Sequence, residues 1–200
     1  MRVLALPLAL LAFHGTIRPV PAPLGAQLVS AGMWHAGCPV SFAQLRLLTV
    51  SYWGFDRRVH QSGRLVVNAS AAAPLRRVFR RLYALRFPIR RMDPVNLNGD
   101  VTASFECRNA APSPCPGSKP TGHWSEHAYG EAVDLNPREN PYTGCGRTRD
   151  PASVPYLDRS RLRPGMATAT VVAAFRSIGW GWGGAWSGTK DYMHFSANGH

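Results

Sequence analysis

A chain of 200 residues, 45% of them hydrophobic, is long enough for one domain with a sizeable core, which excludes a disordered polymer. Twenty-three Lys and Arg against eleven Asp and Glu give a formal charge of +12, so anionic surroundings are expected. After the first residues no segment stays apolar for the roughly 20 residues a membrane helix needs, which excludes stable membrane insertion of a processed chain.

Met1-Arg2 is a short basic start, and Val3 to Phe13 is an apolar run of eleven residues. Small-residue sites follow at Val20-Pro-Ala22 and Leu24-Gly-Ala26. This order predicts a signal peptide over residues 1–26 and a single domain over 27–200. Removing that leader deletes Arg2 and Arg18 and no acid, so +12 becomes +10. Export also bears on the four cysteines at 38, 107, 115 and 145. An oxidising destination predicts two disulfides, and spacing leaves all three pairings open.

Leu45 to Trp53 is apolar and β-branched enough for a strand. Gly54 to Gly63 carries turn chemistry, and Leu65-Val-Val67 reads as the partner strand of a hairpin. Asn68 or Ser70 then caps a helix with Pro74 in its first turn. Leu75, Val78, Phe79, Leu82 and Leu85 alternate with Arg76-Arg77, Arg80-Arg81 and Arg86, as on one amphipathic helix ending before Phe87-Pro88. Its basic side, continued by Arg90-Arg91, is a solvated face or a contact for a polyanion, with nucleic acid and, for an exported chain, the polymers of a cell wall as the options.

Residues 93 to 122 are rich in Pro, Gly, Asn and Ser and read as a long loop with Phe105-Glu-Cys107-Arg108 embedded in it. Ala132-Val-Asp134-Leu135 is a short strand, Asn136 to Arg163 another loop, and Met166 to Ile178 a second helix. Trp180, Trp182 and Trp186 follow among glycines and read as core. The predicted class is α+β: a small antiparallel sheet with flanking helices and long loops.

Chemistry concentrates in Ser125-Glu-His127-Ala-Tyr-Gly130-Glu-Ala132-Val-Asp134 and, sixty residues on, Asp191-Tyr-Met-His194-Phe. Two histidine nitrogens and a carboxylate with an open fourth position suit a catalytic zinc. Over seven residues a strand separates His127 and Asp134 by roughly 23 Å and a helix by about 10 Å. The chain must therefore turn between them, with Gly130 the obvious place. His123-Trp-Ser-Glu126-His127 offers a competing His-x-x-Glu-His scheme. That scheme wants a downstream glutamate ligand, and no Glu follows Glu139.

Ser-x-His-x-x-Gly-x-Ala-x-Asp followed by Asp-x-x-His-Phe resembles the signature of the D-alanyl-D-alanine carboxypeptidase and L-alanyl-D-glutamate endopeptidase family of zinc peptidases. The similarity runs from about residue 37 to 200, through Arg86-Phe-Pro-Ile89, Asp134-Leu-Asn-Pro137, Asn140-Pro-Tyr142 and Arg163-Pro-Gly-Met166. It implies a hedgehog/D,D-peptidase-like fold, a Zn2+ cofactor and His127, Asp134 and His194 as its ligands. It further implies Asp191 as the general base, Arg108 as an oxyanion-stabilising or substrate-holding cation, and Ser125 as a substrate contact. Cys38 pairs with Cys107 on this resemblance, leaving Cys115 with Cys145.

The function implied is a secreted, monomeric bacterial metallopeptidase of the cell wall that hydrolyses peptidoglycan peptides. Carboxypeptidase and endopeptidase specificity both remain open. A catalytically silent zinc-containing wall-binding module is an alternative. Nucleic-acid binding is disfavoured, since no nucleic-acid motif is present.

Overall fold

A computed structural model of the protein describes residues 12–95, 97–98 and 100–200. The chain opens with strand β1 (Gly15–Pro19) and helix α1 (Ala22–Ser30). Strands β2 (Leu45–Trp53) and β3 (Val59–Asn68) form an antiparallel hairpin, with β1 on the outer side of β2. Helix α2 (Ala69–Ala84) follows at once, capped by Asn68, whose side chain accepts from the Ser70 N–H. With Asn68 as the cap, Pro74 falls in the second turn of α2, not the first.

The apolar side of α2 (Leu75, Val78, Phe79, Leu82) packs with Leu48, Val50, Leu65 and Val67 of the sheet. Its arginines 76, 77, 80 and 81 point outward, as the alternation predicts. The expected turn over residues 54–63 is shorter in the structure: only Gly54 to Arg58 turn, and Val59 to Gly63 continue β3. A side chain at Gly63 would lie 2.7 Å from Tyr52 and from Met92, so this glycine serves close packing in a strand.

β1 and α1 bear on the expected leader boundary. All five residues of β1 pair with β2, from Gly15 opposite Val50 to Pro19 opposite Arg46. Leu24 and Leu28 are buried in a second apolar cluster with Val40, Leu45, Val66 and Phe105. A cut after residue 26 would remove β1 entirely and about half of α1. The apolar run itself lies mostly in residues 1–11, outside the described part. Among the described residues no helix is long and apolar enough to cross a membrane.

The remaining chain is built from short pieces. The one-turn helix α3 (Glu126–Tyr129) leads to strand β4 (Ala132–Asp134), then β5 (Tyr142–Gly144) and β6 (Arg147–Thr148). Helix α4 (Ala169–Arg176) is shorter at both ends than the sequence suggests, beginning at its Thr168 cap. Strands β7 (Gly181–Trp182), β8 (Lys190–Asp191) and β9 (His194–Ser196) complete it. These make two further three-stranded antiparallel sheets, β4-β9-β7 and β6-β5-β8. The mixed class and antiparallel pairing agree with the sequence reading, with three small sheets in place of one.

Two disulfides hold the loops, Cys38–Cys107 and Cys115–Cys145. The first fastens the segment before β2 to the segment carrying Arg108. Residues 102–107 bridge the sheets: Phe105 N–H donates to Val66 O, and Ala103 and Asp134 exchange backbone bonds. Asn136 and Asn140 organise the turn after β4. Asn140 donates to the carbonyls of Leu135 and Gly165 and accepts from the Ala167 N–H. Backbone groups that short strands leave unpaired are thereby satisfied by buried amides.

Candidate metal centre

The conflict between seven residues of separation and a shared ion is resolved by α3 and Gly130. His127 stands in the single turn of α3, whose first N–H groups are capped by Ser125. Gly130 adopts φ 70° and accepts the Asn68 N–H at its carbonyl. A Cβ there would sit 2.6 Å from Asn68 N, so glycine is required both by conformation and by space. The chain then reverses into β4 and brings Asp134 back beside His127. His194 arrives by register: it lies directly opposite Asp134 in the β4–β9 ladder.

His127 Nε2 is 3.2 Å from His194 Nδ1 and 3.2 Å from Asp134 Oδ1, and His194 Nδ1 is 3.3 Å from the same oxygen. Both histidines are buried. Their outer nitrogens are already committed: His127 Nδ1 meets the Ser104 carbonyl, and His194 Nε2 lies 3.1 Å from the His200 carbonyl. With those nitrogens donating, the inner nitrogens present lone pairs to one another and to a carboxylate. Three acceptors that close without a proton between them fit a cation. Bonds of about 2.0–2.1 Å at the tetrahedral angle give ligand–ligand edges of about 3.3 Å, which is the spacing seen.

Burial alone would raise the Asp134 carboxyl, but the two imidazoles beside it outweigh that and hold it well below the usual carboxylate range. Burial would likewise lower His194, yet the Asp134 carboxylate beside it outweighs that and raises it, as it would favour any positive charge placed at this point. Asp191 behaves oppositely. Burial, then the Asp134 charge, push it up to about 7, and its Oδ1 is buried without a hydrogen-bond partner. Its backbone is held by pairing with Tyr142 in β5. Gly183 touches it from the other side: a Cβ there would meet the Asp191 carbonyl oxygen at 2.5 Å. The Gly-rich stretch around the tryptophans therefore leaves room for the strand carrying Asp191.

The cluster opens on a cleft of about 270 Å³ that also takes in Arg108, Ser125, Tyr142, Trp186 and Asp191. Arg108 enters with its Nε on Glu106 at 2.6 Å and its Nη1 on the Asn109 carbonyl, so its fork is fixed. Ser125 is buried, and its hydroxyl accepts the His127 N–H, so its first role is to shape α3. Trp180 is core, while Trp186 lines the cleft with its ring 5.6 Å from that of His194. His123 lies before α3 begins and outside the ligand cluster, so the competing His-x-x-Glu-His scheme has no helix to stand on. His35, Cys38 and Cys107 also cluster, but both sulfurs are in a disulfide and offer no thiolate.

The sequence reading missed Ser104, Glu106 and His200. Ser104 and His200 contribute backbone carbonyls, which residue identity does not encode; Glu106 had a signal, an acid two residues before an arginine.

Two buried imidazoles and a carboxylate that could hold a metal ion, beside an open cleft and a further buried acid, form a set of groups suited to metal-assisted hydrolysis. Residues 118–197, which contain all four of these groups, match the sequence profile of a family described as D-alanyl-D-alanine carboxypeptidase. The matched segment is the part of the chain that carries the site, and the family is the one that its motifs resemble. No curated protein and no solved structure matches the chain.

Proposed function

We propose that the protein is a secreted, zinc-dependent peptidase that hydrolyses amide bonds in peptidoglycan stem peptides, with D-alanyl-D-alanine carboxypeptidase-like chemistry. The observation that carries this reading is the convergence of His127 Nε2, Asp134 Oδ1 and His194 Nδ1 within 3.2–3.3 Å, beside Asp191 whose Oδ1 is buried without a hydrogen-bond partner. Export is supported by the basic start and apolar run of the sequence and by two disulfides, which persist in oxidising compartments. The basic surface suits the anionic polymers of a cell wall.

His127, Asp134 and His194 would hold the ion. When bound, zinc lowers the pKa of a water toward 7 and polarises the scissile carbonyl. The chain's own residues do the rest. Asp191, buried beside the three ligands with its Oδ1 unpaired, takes a proton from the attacking water and returns it to the departing amine as the C–N bond breaks. Arg108, its fork fixed by Glu106, presents positive charge to the oxygen that becomes anionic. Trp186 and Tyr142 wall the cleft and limit water around the reacting amide.

The test is cleavage of defined muropeptides by the zinc-loaded chain, with products identified by mass. Release of free D-alanine from a pentapeptide stem establishes carboxypeptidase action. Cleavage between L-alanine and D-glutamate establishes the endopeptidase. No cleavage with zinc bound stoichiometrically overturns the enzymatic reading.

A further inference from the structure

Away from the metal centre, a cavity of about 420 Å³ lies between the β2–β3 turn, the end of α2 and the loop before α4. Trp53, Phe55, Pro88 and Pro164 give it apolar walls, and Arg57 and Arg86 stand at it. Both arginines have left-handed backbones, with φ 61° and 51°. These are two of only four non-glycine residues with positive φ among the described residues.

Each occupies a position where glycine is the favoured residue. Arg57 closes the hairpin turn, its N–H donating to the Gly54 carbonyl while Gly54 N–H donates to Arg58 O. Arg86 is the residue after the α2 cap in a Schellman motif: its N–H donates to Tyr83 O and the Phe87 N–H to Leu82 O. A side chain at either place strains the backbone. Two such positions, remote in sequence, both carry arginine and both face one cavity.

The charges are not consumed locally. Neither arginine makes an ion pair among the described residues. Asp56, the nearest acid in the turn, is engaged by His60 at 3.1 Å and by the Arg58 N–H at 3.0 Å. Arg86 lies over the Trp53 ring, 5.2 Å from its centroid.

We propose that this cavity is a binding site for an oxyanion carried on an apolar or sugar-ring body, held by Arg57 and Arg86. A guanidinium fork matches a carboxylate or a phosphate in plane and charge. The two sources are an acidic sugar and a phosphate ester. The site does not depend on the peptidase reading.

The experiment is calorimetric titration of the full chain with inorganic phosphate, glycerol 3-phosphate and glucuronate, alongside thermal melts of Arg57→Gly and Arg86→Gly. Saturable binding of at least one probe is expected, weakened about tenfold or more in each variant. Melting temperatures should stay level or rise, because glycine relieves the left-handed backbone. Muropeptide cleavage should not change. Preference for glycerol 3-phosphate over glucuronate, or the reverse, tells the two sources apart. Absence of saturable binding in the unaltered chain, or binding untouched by both variants, overturns the proposal. So does a fall in melting temperature of about 4 °C or more in either variant, which would make the arginines structural props.

Discussion

The half of the molecule before residue 85 and the half after residue 100 achieve order by different means. The first uses a nine-residue strand, a ten-residue strand and a sixteen-residue helix with an apolar face. The second has no described strand longer than three residues. Its backbone is held by buried amides, carbonyl-bound imidazoles and a disulfide. The cluster of His127, Asp134 and His194 is assembled in that second half, leaning on the first through Gly130 and Asn68. Sites that need side chains from several directions are served by short, sharply turning segments, provided that polar bonds replace the missing ladders.

The largest expected effect separates chemistry from architecture within the second half. Asp191→Ala should lower turnover by about 10²–10⁴-fold while zinc content, measured by atomic absorption, stays at the unaltered level. Loss of zinc in this variant would place Asp191 among the ligands instead.

Next comes a direct comparison of the two halves. Leu75→Ala should destabilise the first by about 2–5 kcal/mol through a core cavity. Asn140→Ala should cost a comparable 2–4 kcal/mol, roughly, by stranding the Leu135 and Gly165 carbonyls and the Ala167 N–H. Denaturant melts that find Asn140→Ala near neutral would refute the claim that buried amides do the work of ladders.

A chain beginning at Gln27 tests the edge of the first half. Compared with one beginning at Phe13, it lacks β1 and buried Leu24, and should lose about 2 kcal/mol or more. Equal stability would favour a processing point at residue 26.

The smallest effect concerns Glu139, fully buried between Arg90 and Asp100. Burial, then the neighbouring Asp100 carboxylate, raise its carboxyl to about 7 against the pull of Arg90. A raised folded pKa means that the folded chain binds the proton more tightly than the unfolded one. This stabilisation is complete below the unfolded value near 4.5 and is lost as pH rises through about 7. Glu139→Gln mimics the protonated form. Its melting temperature should therefore gain on the unaltered chain between pH 5 and 8, by the equivalent of about 1–2 kcal/mol. A constant gap would show that Glu139 does not titrate there.

Legibility in the sequence follows the same division. The strand at Leu45–Trp53, the Asn68 cap and the outward arginines of α2 are visible because periodic burial leaves a periodic pattern. Residues 59–63 were hidden because His60, Gln61 and Ser62 are polar and Gly63 serves packing. In the second half the four side chains that meet at the cleft and the bend at Gly130 could be read from motif and spacing. The pairing of Asp134 with His194 could not, because two- and three-residue strands have no period. Nor could the carbonyls of Ser104 and His200.

The position of Asp134 opposite His194 has a practical corollary. A slip of one residue in the β4–β9 ladder would send their side chains to opposite faces. In the zinc reading, the ion then acts as an inspector of assembly: misregistered molecules lack the pocket and go unloaded. Metal stoichiometry in a purified batch becomes a gauge of how many chains closed this last small sheet correctly, before any substrate is added.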